Sequence, residues 1–225
     1  MNRKLSNRMI QKRRMYQIFI DATTDIIDQE GIDSVTIRKV ADRAGYNSAT
    51  IYNYFKNLDE LKFFSVMSYM QKYLEALSYT HEEFKDPISK YKYVWEVFAA
   101  QAFKYPTYFK IIFFKQIYDD IEPVLQQYYE LFPESIPGEI NISKDVIEDM
   151  LRKGDISSRS MVLMEEIIKK EFISQEEGEI IDSMVIRLFK SLLDEVEQNP
   201  SLKDKYIKEF KTYLDMLIPD EMLEN

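Results

Sequence analysis

The chain has 225 residues, of which 45% are hydrophobic and 14% aromatic, so it can bury a substantial core. Five glycines and seven prolines are few for a turn-rich β fold and favour helices. The lack of cysteine excludes disulfides and cysteine metal sites, which fits a reducing cytoplasm. We see neither a signal peptide nor a segment long enough to span a bilayer, so we expect a cytoplasmic protein without membrane contact.

The formal net charge of −9 is unevenly distributed along the chain. Residues 1–57 contain ten basic and six acidic residues and carry +4, whereas residues 58–225 carry −13. A basic N-terminal module attracts phosphates, while an acidic remainder limits non-specific binding. Six cations and no acid occur in the first 14 residues: Arg3, Lys4, Arg8, Lys12, Arg13 and Arg14. We expect a partly disordered arm, which either reaches a nucleic-acid backbone or minor groove or is only a solvated tail.

The first two helices are predicted from apolar spacing and from their caps. A first helix should span residues 10–29 and end at Gly31. Thr36 can cap a second helix with its hydroxyl, and Gly45 can adopt the left-handed conformation that favours a helix end. The apolar residues of this second helix share one face, because they fall at i, i+3, i+4 and i+7: Ile37, Val40, Ala41 and Ala44.

A third helix is predicted over residues 48–55, capped by Asn47 or Ser48 and buried through Ile51 and Phe55. Its exposed side chains should be small or polar: Ser48, Ala49, Thr50, Tyr52, Asn53 and Tyr54. Two short helices joined by a tight glycine turn form a helix-turn-helix, and such a surface can enter the major groove of DNA. A purely structural helical hairpin is the alternative interpretation.

The segment that contains this motif resembles the recognition segment of the TetR family of bacterial transcriptional regulators. The resemblance extends over about residues 10–61, and three runs carry it: Ala44-Gly45, Thr50-Ile51-Tyr52-Asn53-Tyr54-Phe55 and Asp59-Glu60-Leu61. It implies an all-α fold in two domains. Residues 1–58 would form the three-helix, helix-turn-helix DNA-binding domain, and residues 59–225 a larger helical domain for ligand binding and dimerisation.

The resemblance also indicates which side chains contact DNA. Four residues are candidates for reading bases: Asn47, Ser48, Ala49 and Asn53. Four hydroxyl side chains are expected to hold phosphates: Thr36, Thr50, Tyr52 and Tyr54. Two cations, Arg38 and Lys56, lie close enough in sequence to assist. The chain departs from the family at two positions, since Ala49 replaces a frequent Gly and Leu58 replaces a phosphate-contacting Lys. Lys56 or Lys62 is expected to supply that contact instead.

The rest of the chain is predicted to be helical, apart from a loop at residues 133–141. The expected helices span residues 59–79, 87–104, 107–118, 123–131, 143–152, 158–172, 177–198 and 201–217. Ser157 or Ser158 is expected to cap the helix that ends near residue 172. In TetR proteins the helix after the recognition segment relays ligand-induced movement, and the resemblance implies this role for residues 59–79.

Aromatic side chains are concentrated in the middle of the chain, where 20 of the 31 Phe, Tyr and Trp residues fall between Phe63 and Phe132. Ordinary helical core is one explanation of this density. The other is an apolar pocket with a few polar groups, which the family resemblance favours because TetR proteins hold an inducer between these helices. The predicted lining is Trp95, Phe98, Tyr108, Phe113, Gln116, Ile117 and Met164.

The helix over residues 177–198 carries an apolar stripe wide enough for two contact surfaces. One surface should face the core and the other a second copy of the chain, since TetR proteins dimerise through their last long helices. The predicted interface residues are Ile181, Met184, Val185, Leu188 and Leu192. A helix buried entirely within a monomer is the alternative.

The sequence offers little for catalysis. His81 is the only histidine, and neither a phosphate-binding glycine loop nor a dinucleotide-binding motif is present. We therefore expect no enzyme, no metal and no cofactor. The prediction is a homodimeric repressor that binds a pseudo-palindromic operator in double-stranded DNA, with half-sites about 34–36 Å apart. A small, largely apolar or aromatic inducer would release it. The alternative is an all-helical interaction protein with a structural helix-turn-helix.

Overall fold

The structure is a computed structural model that describes residues 7–78, 84, 86–115, 121–137 and 144–219. These residues form helices and no β-strand, which confirms the all-α prediction. The helices are α1 Asn7–Glu30, α2 Ile37–Ala44, α3 Ser48–Ile51, α4 Leu58–Ser78, α5 Pro87–Lys104, α6 Pro106–Phe113, α7 Glu122–Leu131, α8 Lys144–Arg152, α9 Ile156–Lys169, α10 Gln175–Gln198 and α11 Lys203–Leu217. His81, Gln116, Ile117 and residues 138–141 of the predicted 133–141 loop lie outside the described residues.

The first three helices pack around a small apolar centre. Thr36 begins α2, because its Oγ1 accepts a hydrogen bond from the backbone N–H of Lys39 at 3.2 Å. Gly45 ends α2 in the left-handed region, with φ 74° and ψ 28°. Both predicted caps are confirmed. Side chains from all three helices and their connections fill the centre: Tyr16, Phe19, Ile26, Val35, Val40, Ile51 and Phe55.

The third helix is shorter than predicted, since α3 ends at Ile51 and residues 52–54 form a turn. The carbonyl of Ile51 accepts hydrogen bonds from the backbone N–H groups of Tyr54 (2.9 Å) and Phe55 (3.0 Å). The chain therefore tightens after one helical turn. This turn brings the ring of Phe55 into the core, where it is fully buried.

Helix α4 connects the first three helices to the rest of the chain. It begins at Leu58 and packs against α1 first, then against α5 and α6. Near its start, Phe64 contacts the rings of Tyr16, Phe55 and Tyr128, the last of which belongs to α7. Because of such contacts, the buried apolar residues form one continuous core that reaches Ile218.

Helix α5 packs against α9, α10 and α11. Helix α10 begins with a capping box, in which Ser174 Oγ accepts from the N–H of Glu177 (3.3 Å) and the Glu177 carboxylate accepts from the N–H of Ser174 (2.9 Å). Helix α9 is capped by Asp155, whose carboxylate accepts from the N–H of Ser158 at 2.8 Å. The predicted cap at Ser157 or Ser158 is therefore wrong. A carboxylate at this position also complements the helix dipole.

Other predicted helix ends also differ from the structure, among them the end of α6 and the start of α11. Helix α6 ends at Phe113, because the carbonyl of Lys110 accepts hydrogen bonds from both Phe114 N and Lys115 N at 2.9 Å and closes the last turn. Helix α11 starts at Lys203, after a 3-10 turn at Pro200–Leu202, and not at residue 201. Neither change alters which faces are buried.

Candidate DNA-binding surface and ligand cavity

The first turn of α3 is held by Asn47. Its Oδ1 accepts hydrogen bonds from Thr50 N (2.9 Å) and Thr50 Oγ1 (3.0 Å), which confirms Asn47 as one of the two predicted caps. Because Oδ1 is used within the turn, the amide NH2 is the part of Asn47 left for a base or phosphate. Ser48 and Thr50 are half-buried, while Ala49 is exposed.

The turn that follows α3 presents Tyr52 and Asn53 to solvent, and Tyr52 is 57% exposed. Tyr54 was predicted to be exposed, but it is half-buried. Its ring packs edge-on against Tyr16, with ring centroids 5.7 Å apart, and lies 5.9 Å from Phe19. The apolar part of Tyr54 thus belongs to the core, and its hydroxyl is the part that a phosphate contact would use.

Tyr16 joins the reading segment, residues 47–54, to α7. Its hydroxyl donates a hydrogen bond to the backbone carbonyl of Tyr54 (2.6 Å) and accepts one from Nε2 of Gln127 (2.8 Å). Burial raises the pKa of Tyr16 to about 12, with the Gln127 bond opposing part of the shift. The hydroxyl therefore stays protonated at neutral pH and keeps both bonds. Arg13, one turn before Tyr16, forms an ion pair with Glu134.

Basic side chains border the reading segment. The Arg38 side chain is 91% exposed and lies 3.9 Å from Asp42, whereas Lys39 is held by Glu30 at 2.6 Å. Residues 7–14 of the basic arm, which were expected to be partly disordered, form the start of α1. A broad groove between α1 and the reading segment is lined by three of these cations together with polar and aromatic side chains, among them Arg8, Lys12, Arg14, Tyr46, Asn53 and Tyr54.

The start of α4 holds the position at which this chain has Leu58 in place of the phosphate-contacting lysine of the TetR family. Leu58 is half-buried and packs against the core. Lys56 is exposed, whereas Lys62 is half-buried. Asp59, in the first turn of α4, forms an ion pair with Lys115, which follows α6. Of the two candidate lysines, Lys56 is therefore the one on the surface.

An apolar cavity lies between α4, α5, α8 and α9. The cavity has an empty volume of about 480 Å³, including the part that is open to solvent. The centre of a water molecule can occupy only about 40 Å³ of it. That space holds a few waters, so a larger molecule must displace side chains in order to enter. The lining is Met70, Tyr73, Leu74, Val94, Trp95, Phe98, Phe113, Ile147, Met150, Leu151, Ile156, Arg159, Ser160 and Leu163.

One charged side chain belongs to this lining. Arg159 is only 5% exposed, its Nε donates a hydrogen bond to the carbonyl of Lys153 (2.7 Å), and its guanidinium lies 4.9 Å from the ring centre of Phe113. Burial lowers the pKa of the Arg159 guanidinium. Within the described part of the chain, no carboxylate oxygen lies within 4.0 Å of its nitrogens. Its described direct contacts with polar or aromatic groups are therefore the Lys153 carbonyl and the Phe113 ring.

A buried polar network lies behind the cavity wall and reaches α10. Ser160 accepts a hydrogen bond from Trp95 Nε1 (3.0 Å) and bonds to Asp182, which also accepts from the hydroxyl of Tyr91 (2.8 Å). Burial raises the pKa of Asp182, and the two hydrogen bonds oppose this shift. The network connects the cavity to the helix predicted to form the dimer interface.

Residues 19–62, which run from α1 into the first turn of α4, match the model for bacterial regulatory proteins of the tetR family. This stretch contains every residue predicted to contact DNA. Over this stretch, the helix-turn-helix of the chain is therefore of the TetR type. It is also 33% identical, over 69 residues, to the fatty acid metabolism regulator protein of Bacillus subtilis (strain 168). The aligned part covers 31% of this chain and 36% of that protein, so the chain spans about a third of the length of that relative.

Solved structures of TetR-like regulators share the fold across almost the whole chain. FadR of Thermus thermophilus, a TetR family repressor solved with lauroyl-CoA, has a TM-score of 0.58, 13% identity, and coverage of 90% of this chain and 92% of its own. The fatty acid degradation regulator FadR of Bacillus halodurans has a TM-score of 0.52 and 16% identity, and the match covers 97% of this chain and 98% of its own. RolR, solved with resorcinol, has a TM-score of 0.52 and 13% identity, and the match covers 96% of this chain and 93% of its own.

Three of the seven predicted ligand residues line the cavity: Trp95, Phe98 and Phe113. Met164 is fully buried but is not part of the lining, because it lies on another face of α9. Tyr108 packs against Tyr69, with the two rings tilted and their centroids 4.3 Å apart, outside the cavity. Gln116 and Ile117 lie outside the described residues.

Sequence reasoning missed the polar part of this lining. The cavity face of α9 consists of Ile156, Arg159, Ser160 and Leu163, which fall at i, i+3, i+4 and i+7. That spacing is visible in the sequence. It was overlooked because an arginine in a helix is ordinarily placed on the surface.

The candidate dimer surface of α10 is narrower than predicted. Met184 is 43% exposed, and Ile181 and Leu188 are half-buried. Val185 and Leu192 were also predicted to contact a partner, but they are buried in the core of the same chain. At about 100° per residue they fall on the edge of the stripe that faces the core, next to Ile181 and Leu188 and further from the exposed Met184. Ile180, which was not predicted, is 53% exposed.

Among the described residues, no group of three or more His, Asp or Glu side chains is arranged to hold a metal ion. No described helix is long and apolar enough to cross a membrane.

Proposed function

We propose that this chain is a homodimeric transcriptional repressor that binds a pseudo-palindromic operator and is released from it by a small, largely apolar inducer. The observation that carries the DNA-binding part is the surface formed by Ala49, Tyr52 and Asn53, with Arg38 and Lys56 beside it, inside the segment that matches the TetR family. In this proposal the protein works in the cytoplasm and has no catalytic role or cofactor.

The proposed division of labour follows the predicted domains. Residues 1–58 bind DNA, with bases read by Ser48, Ala49, Asn53 and the amide NH2 of Asn47. Phosphates are held by Thr36, Thr50, Tyr52 and Tyr54, with Arg38 and Lys56. Residues 59–225 bind the inducer and form the dimer through Ile180, Ile181, Met184 and Leu188. An exposed apolar strip of this kind supports a partner contact.

The cavity supports an apolar inducer. Its lining is mainly aliphatic and aromatic, and its methionines can adapt their shape to a ligand. Two structural neighbours were solved with partly apolar ligands, lauroyl-CoA and resorcinol. Helix α4 lines the cavity with Met70, Tyr73 and Leu74 and begins at Leu58, just after the reading segment. A ligand that moves α4 would therefore move the reading segment, and operator affinity would fall by the difference in its binding to the two states.

Fluorescence anisotropy of labelled DNA tests this proposal. The wild-type protein is titrated into duplexes from upstream of its own gene and into scrambled duplexes, at several salt concentrations. Tight, sequence-selective binding by an even number of chains supports it, and affinity should fall as salt rises because Arg and Lys displace counterions. Equal, weak binding to all duplexes counts against it and favours a structural helix-turn-helix.

A further inference from the structure

The Arg159 guanidinium has donors that the fold does not use. Only its Nε atom takes part in a described hydrogen bond, and the side chain lines the cavity. We propose that the cavity binds an amphipathic carboxylic acid head-first, with its carboxylate on Arg159 and its apolar chain along α4 and α5. The inference rests on the proposed function, since it names the class of inducer for the same site.

A buried charge without a counter-ion is costly, and a bound anion relieves that cost. None of the described groups near Arg159 is in direct contact with it as a counter-ion. Asp155 interacts with it electrostatically, but its carboxylate is used to cap α9. The phenols of Tyr73 and Tyr129 are also near, and burial raises the pKa of each, so both are neutral. The Tyr129 hydroxyl is itself buried without a hydrogen-bond partner in the described structure, so a second donor is available nearby.

A carboxylate matches this site in shape as well as in charge. Guanidinium presents parallel N–H groups that bind a carboxylate through two hydrogen bonds. The rest of the lining offers mainly aliphatic and aromatic contacts: Met70, Leu74, Val94, Trp95, Phe98 and Leu163. An apolar chain without a charged end would leave the guanidinium in contact with hydrocarbon, so a neutral ligand gains less here than an acid of the same length.

The orientation distinguishes a free acid from an acyl thioester. In a thioester the carboxylate is replaced by a neutral group, and the large polar carrier must stay outside a cavity of this size. The acyl tail would then reach the buried cation. The arginine therefore favours the free acid, with its head inside and its chain towards the apolar lining.

A ligand bound at Arg159 would also affect the DNA-binding domain, through the packing of α6 against α4. The guanidinium now lies over Phe113 at the end of α6, and Lys115, two residues later, is paired with Asp59 in the first turn of α4. A carboxylate that draws the guanidinium away from Phe113 changes the packing of α6 against α4. An acid that binds should for this reason also release operator DNA.

The test uses the fluorescence of Trp95, the single tryptophan of the chain, which lines the cavity. The full-length protein is titrated with straight-chain carboxylates from octanoate to palmitate, with methyl laurate and with lauroyl-CoA. Arg159→Gln removes the charge, and Arg159→Lys keeps a charge without the bidentate geometry. Lys169→Gln, which removes an exposed charge from the same helix, is the matched control. Circular dichroism and operator binding without ligand show whether each variant is folded.

We expect at least one carboxylate to bind about tenfold or more tightly than its methyl ester, and Arg159→Gln to lose about ten- to a hundredfold in carboxylate affinity with little change for the ester. Lys169→Gln should bind as the wild type does. Equal binding of acid and ester, no binding of any acid, or tighter binding of lauroyl-CoA that Arg159→Gln leaves intact would each overturn the inference. If Arg159→Gln does not fold, the acid–ester comparison on wild type and Arg159→Lys decides. Operator binding without ligand is measured separately, so failure here leaves the DNA-binding proposal standing.

Discussion

Replacing Tyr16 with Phe removes one oxygen atom and tests how the reading segment is held. The substitution breaks two hydrogen bonds, one to the carbonyl of Tyr54 (2.6 Å) and one from Gln127 (2.8 Å). Each bond contributes about 0.5–1.5 kcal/mol to stability, so the free energy of unfolding should fall by about 1–3 kcal/mol. The ring contacts with Phe55 and Phe64 are kept. For a chain of this length, each 1 kcal/mol lowers Tm by about 2–4 °C.

Urea unfolding measures the loss of stability, and anisotropy measures the effect on operator binding. The variant should also bind operator more weakly, because the turn that carries Tyr52 loses its anchor on α1. Tyr54→Phe is the matched control for the unfolding measurement, since it keeps the backbone carbonyl and removes only a hydroxyl for which no hydrogen bond within the described fold is seen. It should unfold within about 0.5 kcal/mol of wild type. If Tyr16→Phe were as stable as wild type, the link between α1, the turn and α7 would not exist as described.

Three other predictions follow from single positions. Lys56→Ala should reduce the salt dependence of operator binding by about one counterion, and Lys62→Ala should do so only if Lys62 supplies the missing phosphate contact. Met184→Asp should convert the dimer to monomers in light scattering; an unchanged mass would place the interface elsewhere. Because burial raises the folded pKa of Asp182, its native form binds more protons than its unfolded form. The stability of wild type relative to Asp182→Asn should therefore rise in urea titrations as pH falls from 7 towards 4, and a flat difference would refute this.

Short-range signals in the sequence predicted both ends of α2 and the start of α3. Thr36, Gly45 and Asn47 act within three or four residues of the chain, so their roles as caps could be inferred without knowing the tertiary structure. The same kind of signal failed at α9, because three possible caps lie within four residues and only Asp155 adopts that role. The end of α3 was also missed, since the burial of Phe55 in the tertiary core decides where the turn tightens.

Long-range packing decided what the sequence left open. Apolar periodicity predicted the stripe on α10, but it does not say that Val185 faces the core while Met184 faces outward. The buried position of Arg159 depends on Phe113 and Lys153, which belong to other segments of the chain. A single sequence gives no direct sign of such a contact. The spacing of Arg159 with Ile156 and Leu163 was the available hint.

The most direct test of the account is operator binding by Tyr52→Ala beside wild type, each measured on operator and scrambled duplexes at one salt concentration. Tyr52 is exposed and makes no contact that the core needs, so the variant should stay folded and dimeric. The account predicts weaker binding to the operator and a smaller ratio of operator to scrambled affinity. Unchanged operator affinity and selectivity in a folded variant would contradict the assignment of this segment as the DNA-reading surface.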